Sequence, residues 1–198
     1  ESCDQLNQEV QLNQKNQLRL NGMKSEMHQR AFLSIRKLLA LAGYTDFDLE
    51  YDAFGKPHLA DHNYISITHS HHFSAIIVSN EPVGIDIEMQ REKILKIAHK
   101  FVNDEELNRL QQTDSAEYIK KLTVKWGAKE AIYKIKNEKG ISFKDHIRVA
   151  PFELNETPTL ANLSYGGVEE KFDIHFSELD TNFTLVYAFQ NNSSNQLH

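Results

Sequence analysis

The run Val83-Gly84-Ile85-Asp86-Ile87-Glu88 constrains this chain more than any other feature, because an otherwise apolar strand-like stretch carries carboxylates at positions i and i+2. Side chains alternate along a strand, so Asp86 and Glu88 share one face, roughly 6–7 Å apart along the backbone, with Ile85 and Ile87 opposite. Two like charges held that close repel each other. A divalent cation removes the repulsion, and hard oxygen ligands suit magnesium rather than zinc. A second charged cluster, Trp126-Gly127-Ala128-Lys129-Glu130-Ala131-Ile132-Tyr133-Lys134, supplies a third carboxylate and two cations. Carboxylates for a metal with lysines nearby describe a site for phosphate chemistry.

At 198 residues the chain can bury a full core as one domain, or as two similar lobes sharing an interface. Cys3 is the sole cysteine, which excludes an internal disulfide and a cysteine metal cluster and predicts a reducing, cytoplasmic home. No apolar run approaches the roughly 18 residues of a membrane span, and the polar start Glu1-Ser2-Cys3-Asp4-Gln5 is not a signal peptide, so no membrane partner is expected. The chain opens on glutamate rather than methionine, and further residues are expected to precede it. A net charge of −6 argues against general nucleic-acid binding. Lys93, Lys96, Lys100, Lys120, Lys121, Lys125, Lys129 and Lys134 nevertheless make the middle of the chain locally basic.

Helical spacing of Ala31, Phe32, Ile35, Leu38, Leu39 and Ala42 predicts a helix from about Ser25 to Ala42, capped by Ser25 and ended by Gly43. Phe54-Gly55-Lys56-Pro57 reads as a turn into an extended segment. Tyr64–His69, Phe73–Ser79 and Val83–Glu88 read as the strands of a small antiparallel meander. Asn103 and Glu106 form a capping box for a short helix to about Gln112, and a longer helix is predicted from about Ser115 to Lys136. On that helix Trp126, Glu130 and Lys134 share a face, while Lys129 and Tyr133 form a neighbouring row. Strand-like segments follow at 146–149, 159–164, 170–176 and 183–189, before a polar tail expected to fray. The boundary between lobes is placed at 84/85, giving 1–84 and 85–198.

These residues match a known family pattern. Gly84-Ile85-Asp86-Ile87-Glu88 resembles the G-x-D-x-E motif, and Trp126 to Lys134 the W-x-x-K-E-x-x-x-K motif, of the 4′-phosphopantetheinyl transferases of the surfactin-synthetase-activating type. Gly55-Lys56-Pro57 is similar to that family's G-K-P turn, and Ser66-Ile67-Thr68-His69-Ser70 to its N-x-S-H-S segment, all in the family order. Ser66 stands where the family commonly has Asn, Thr68 where it has Ser, and Gly127 where it has a hydroxyl residue. The resemblance implies an α+β fold of two similar lobes in pseudo-twofold arrangement, each a small antiparallel sheet packed with helices. It also implies transfer of the phosphopantetheine arm of coenzyme A to a serine of an acyl or peptidyl carrier protein, with release of adenosine 3′,5′-bisphosphate. The family's short form trimerises and its long form is a monomer, so this length predicts a monomer.

On this reading Asp86, Glu88 and Glu130 bind magnesium, and Glu130 is alternatively the general base that takes the serine proton, directly or through water. Lys129 and Lys134 contact phosphates, with Lys134 placed beside Glu130 in the reaction. Thr68 and His69 bind the nucleotide-side phosphates, and Lys56 lies beside the adenosine end. Trp126 and Phe101 are assigned to the core. Arg30 and Arg36 either face the 3′-phosphate or sit on a solvated helix face. His69, His71 and His72 offer a zinc reading, which lacks a cysteine or carboxylate nearby. Carrier proteins of this class are acidic, so the segment from Lys93 to Lys125, including Lys120 and Lys121, is a candidate docking surface. Two other classes compete: a catalytically silent module that binds coenzyme A or carrier protein, and a magnesium-dependent phosphotransferase or hydrolase, for which a Gly-rich phosphate loop would be expected.

Overall fold

A computed structural model describes residues 2–110, 114–180 and 182–191. The chain divides into two units, Glu1–Asn80 and Glu81–His198, and both mix helices with antiparallel strands, which makes the fold α+β.

The first unit begins with three helices, α1 (Cys3–Glu9), α2 (Gln14–Gly22) and α3 (Glu26–Leu41). α3 is the expected amphipathic helix: Phe32, Leu33, Ile35 and Leu39 are buried, and the Ser25 side chain accepts from the His28 N–H. Gly43, at φ +87°, takes the chain out of it in a conformation that favours glycine. Periodicity did not predict α1 or α2, because each buries a single apolar side chain, Leu6 or Leu20, against Phe32 and Leu33 of α3. Polar bonds do the rest. The buried Asp46 carboxylate accepts from the Asn13 backbone N–H at 2.9 Å, from Asn16 Nδ2 at 2.8 Å and from Arg36 Nε at 3.0 Å. One carboxylate thus ties α2 and α3 to the loop that follows α3. Arg36 is buried in that network with its guanidinium 3.7 Å from the Phe32 ring centre, so it faces neither solvent nor phosphate.

β1 (Leu49–Tyr51) and β2 (Pro57–Leu59) form a short hairpin. Asp52 shapes its turn by accepting from the N–H groups of Phe54 and Lys56 at 2.8 and 3.0 Å. β3 (Tyr64–Ser70) and β4 (Phe73–Ser79) form a second hairpin, in register from Tyr64↔Ser79 to Ser70↔Phe73. Leu49, Leu59 and Ile65 from these strands pack with Ile35 and Leu39 of α3.

The second unit contains β5 (Val83–Met89), α4 (Lys93–Phe101), α5 (Asp104–Leu110), α6 (Ser115–Lys136), β6 (Ile147–Val149), β7 (Thr159–Tyr165), β8 (Val168–Leu179) and β9 (Phe183–Asn191). Its five strands form one antiparallel sheet in the order β5-β9-β8-β7-β6. This corrects the expected three-stranded meander: β3 and β4 pair with each other, whereas β5 pairs with β9, from Val83↔Phe189 to Met89↔Phe183. α6 lies on this sheet, burying Val124, Ala128, Ala131, Ile132 and Ile135 against Ile147, Leu163, Phe172, Ile174 and Val186. Asp114 caps its start through the N–H groups of Ala116 and Glu117, and Asn137, at φ +49°, ends it. The Asn103–Glu106 capping box is present at α5, with Asn103 Oδ1 accepting from the Glu106 N–H at 2.9 Å. The end of that helix expected at 111–112, and the expected fraying tail beyond Asn191, lie outside the described residues.

β6 is the last strand of the sheet, and its outward backbone groups are met by side chains. Lys129 Nζ donates to the Ile147 carbonyl at 2.7 Å and Lys125 Nζ to the Val149 carbonyl at 2.8 Å, while Glu106 Oε1 accepts from the Val149 N–H at 3.2 Å. No described helix is long and apolar enough to cross a membrane.

Candidate active site

Asp86 and Glu88 stand on β5, and α6 crosses that strand at very short range. A Cβ added to Gly84 would lie 2.7 Å from the carbonyl carbon of Ala131, closer than real Cβ atoms come. One added to Gly127 would lie 2.7 Å from Val186 Cγ2 and 3.8 Å from Asp86 Oδ2. Gly84 lets the backbone of α6 approach β5 and Gly127 lets it approach Val186 of β9, and together they deliver the helix side chains to Asp86.

Lys134 is the clearest of these. Its ammonium donates to Asp86 Oδ1 at 2.9 Å and to the Ile85 carbonyl at 2.8 Å. Asp86 is 5% exposed, so this pairing neutralises a carboxylate largely removed from water. Glu130, one turn earlier on α6, is half-buried. Burial first, and the Asp86 charge second, push its carboxyl up to about 7, with Glu88 adding to the rise and Lys134 opposing it. Glu88 is raised as well, by burial and then by Asp86, while the nearby Trp126 indole opposes the shift. The three carboxylates singled out from the sequence thus feel one another's charge in a partly desolvated setting.

Among the described residues no three His, Cys, Asp or Glu side chains are gathered into a ready metal cage. The donor set is still that of a hard cation. Two carboxyls held above their ordinary range by burial and mutual charge are relieved by a divalent ion, and the site contributes only oxygen ligands. Magnesium fits these residues.

Trp126 does more than fill core. Its ring meets Phe101 and Phe143 edge-on at 5.0 and 5.6 Å, and its indole lies close enough to Glu88 to oppose the rise of that carboxyl. The i, i+4 spacing of Trp126 and Glu130 was the available sign that the indole belonged to the carboxylate face.

The structure corrects two lysine expectations. Lys129 is fully buried; its ammonium is bound by the carbonyls of Phe101, Phe143 and Ile147 at 2.6, 2.9 and 2.7 Å and by Glu106 Oε2 at 3.3 Å. Four protein oxygens already exceed its three protons, which leaves none for a phosphate. Burial outweighs Glu106 and pulls this ammonium down to about 8. Lys121, 6% exposed, is held by Glu117 and Glu153, and Lys120 by Glu178, so neither presents an open charge for docking.

Lys56, Thr68 and His69 belong to the first unit. Lys56 is half-buried at the β1–β2 turn. Thr68 and His69 are adjacent on β3 and therefore point to opposite faces; Thr68 is buried and His69 exposed.

A family model described as the 4′-phosphopantetheinyl transferase superfamily matches residues 82–188, just over half of the chain. The chain belongs to this superfamily. The span that matches the superfamily holds Asp86, Glu88, Trp126, Glu130 and Lys134 together with β5, α6 and most of the sheet. The 4′-phosphopantetheinyl transferase gsp of Aneurinibacillus migulanus is similar, at 33% identity over 81 residues, covering 41% of this chain and 34% of that protein. The match thus spans about a third of the length of that superfamily relative.

Proposed function

We propose that this chain transfers the 4′-phosphopantetheine arm of coenzyme A to a serine of an apo acyl or peptidyl carrier protein, releasing adenosine 3′,5′-bisphosphate. The observation that carries the reading is the set of coupled carboxylates on β5 and α6, with Lys134 bonded into it, inside the span that matches the superfamily. Asp86 and Glu88 would hold magnesium, which when bound supplies charge neutralisation at the pyrophosphate oxygens. Glu130, pushed up to about 7, is suited to take the serine proton near neutral pH. Its alternative role is third metal ligand. Lys134 brings positive charge to the same face and is assigned to the phosphate oxygens. Thr68 and His69 are assigned to the nucleotide-side phosphates of coenzyme A, and Lys56 to its adenosine end. Lys93, Lys96 and Lys100 on exposed positions of α4 replace Lys120 and Lys121 as the surface for an acidic carrier. A cytoplasmic monomer is the proposed setting.

Intact-mass spectrometry of an apo acyl carrier protein incubated with the protein, coenzyme A and magnesium tests the reading. A gain of one phosphopantetheine, absent without metal and lost in Glu130→Gln, supports transfer. No gain with fatty-acid and peptidyl carriers while coenzyme A still binds supports a silent binding module instead. Metal titration of Glu130→Gln separates its two roles: unchanged affinity assigns the base, and weakened affinity assigns the ligand.

A further inference from the structure

The second unit holds a cavity of about 430 Å³ beside β6, within the size range of small-molecule sites. None of Asp86, Glu88, Glu130 or Lys134 lines it. Leu110, Val149, Phe152 and Leu160 contribute its apolar lining, and the first three of these are buried.

The charges around this wall do not cancel. Arg109 pairs with Glu105 at 2.6 Å, Lys121 with Glu153 at 3.0 Å and Lys125 with Glu106 at 2.8 Å. Arg148 and Lys171, which also line the cavity, make no ion pair among the described residues. They sit in one cross-strand row, since Arg148 on β6 faces Asn162 on β7, and Asn162 faces Lys171 on β8. Facing positions on neighbouring strands bring Cβ atoms to about 5 Å, so two cations flank one amide at the side of an apolar pocket. Asn103, a further lining residue, has its Nδ2 buried without an acceptor among the described residues.

We infer that this cavity binds a medium-chain aliphatic carboxylate, with the alkyl chain against Leu110, Val149, Phe152 and Leu160 and the carboxylate on the Arg148–Asn162–Lys171 row. A monoanion with an alkyl tail uses both features. A bare phosphate leaves the apolar wall without a partner and brings a second negative charge towards Glu105, Glu106 and Glu153. A neutral alkyl ligand leaves the two cations unused.

Titration of the full chain with sodium octanoate, followed by calorimetry and by backbone amide shifts, tests the inference, with 1-octanol and inorganic phosphate as comparison probes. Saturable octanoate binding at one site is expected, with shifts at 148–153 and 160–171. Affinity falls about tenfold or more in Arg148→Ala/Lys171→Ala and for 1-octanol, because each loses the charge-assisted bonds. Both substituted residues are exposed, and circular dichroism checks the fold. Arg148→Gln and Lys171→Gln, made singly, carry the same test should the double variant not fold. Non-saturating octanoate, equal binding of 1-octanol, indifference to the cation variants, or competition by phosphate for the same site each overturns it.

Discussion

The backbone of Gly84 lies against the carbonyl of Ala131, at a separation that admits no side chain. This contact sets the height of α6 above β5 and with it the reach of Glu130 and Lys134 to Asp86. The glycine of the G-x-D-x-E pattern is thus a packing requirement placed two residues before Asp86.

Gly84→Ala is expected to destabilise the fold by about 3 kcal/mol, since the new methyl meets main chain that cannot rotate away. Gly127→Ala should cost about half as much, because its methyl meets the Val186 side chain. Urea unfolding of the two variants checks the order; equal costs would place α6 farther from the strand.

Glu130 makes stability depend on pH. Its folded value of about 7 lies above the ordinary 4.5, so the folded protein keeps a proton that the unfolded chain releases. Stability therefore falls as pH rises from about 4.5 to about 7, and the full cost stands above that window. In chelator at pH 8, Glu130→Gln should be more stable than the parent, on the order of 1–2 kcal/mol after solvent screening. The difference should vanish well below pH 4.5, where Glu130 is neutral both folded and unfolded. Chemical denaturation at the two pH values measures it.

The two motif lysines should respond differently to magnesium. Lys129→Met leaves three carbonyls and part of Glu106 without their donor and is expected to cost about 3 kcal/mol, with no recovery on adding the metal. Lys134→Met removes the ammonium bonded to the buried Asp86 carboxylate, a loss that a bound divalent cation makes good. Thermal melts of both variants with chelator and with magnesium distinguish the cases, and rescue of Lys129→Met would return that residue to the reaction site.

Trp126→Phe keeps the aromatic packing with Phe101 and Phe143 but removes the indole N–H that opposes the rise of Glu88. The Glu88 carboxyl should then rise further, and magnesium affinity at pH 6 should fall by about threefold to tenfold, since second contacts of this kind orient metal-binding carboxylates. A calorimetric titration gives the ratio; an unchanged affinity would confine Trp126 to packing.

Periodicity was enough to read α3 and α6, whose starts at Ser25 and Asp114 also carry capping chemistry. The four sheet strands from β6 to β9 were visible as alternating segments, each within a few residues of its observed span. Two kinds of information were not local. The pairing of Val83 with Phe189 depends on which distant strand accepts β5, and no pattern within Val83–Met89 names that partner. Lys129 and Lys134 look alike in the motif, but only the positions of Glu106, Phe143 and Ile147 show that one ammonium faces inward. The polar helices α1 and α2 escaped for a related reason, since Asp46 holds α2 to α3 by hydrogen bonds that have no hydrophobic period.

The lysines at the two ends of the five-stranded sheet also decide what the sheet can do with other chains. An edge strand with open N–H and C=O groups is a template on which a foreign strand can grow. Here α6 sends Lys125 and Lys129 to the carbonyls of β6 and Lys134 to Ile85 of β5, while Glu106 takes the Val149 N–H. The helix that carries Glu130 is in this way a guard against strand addition, and a variant that loosens it should first show itself as a protein that aggregates.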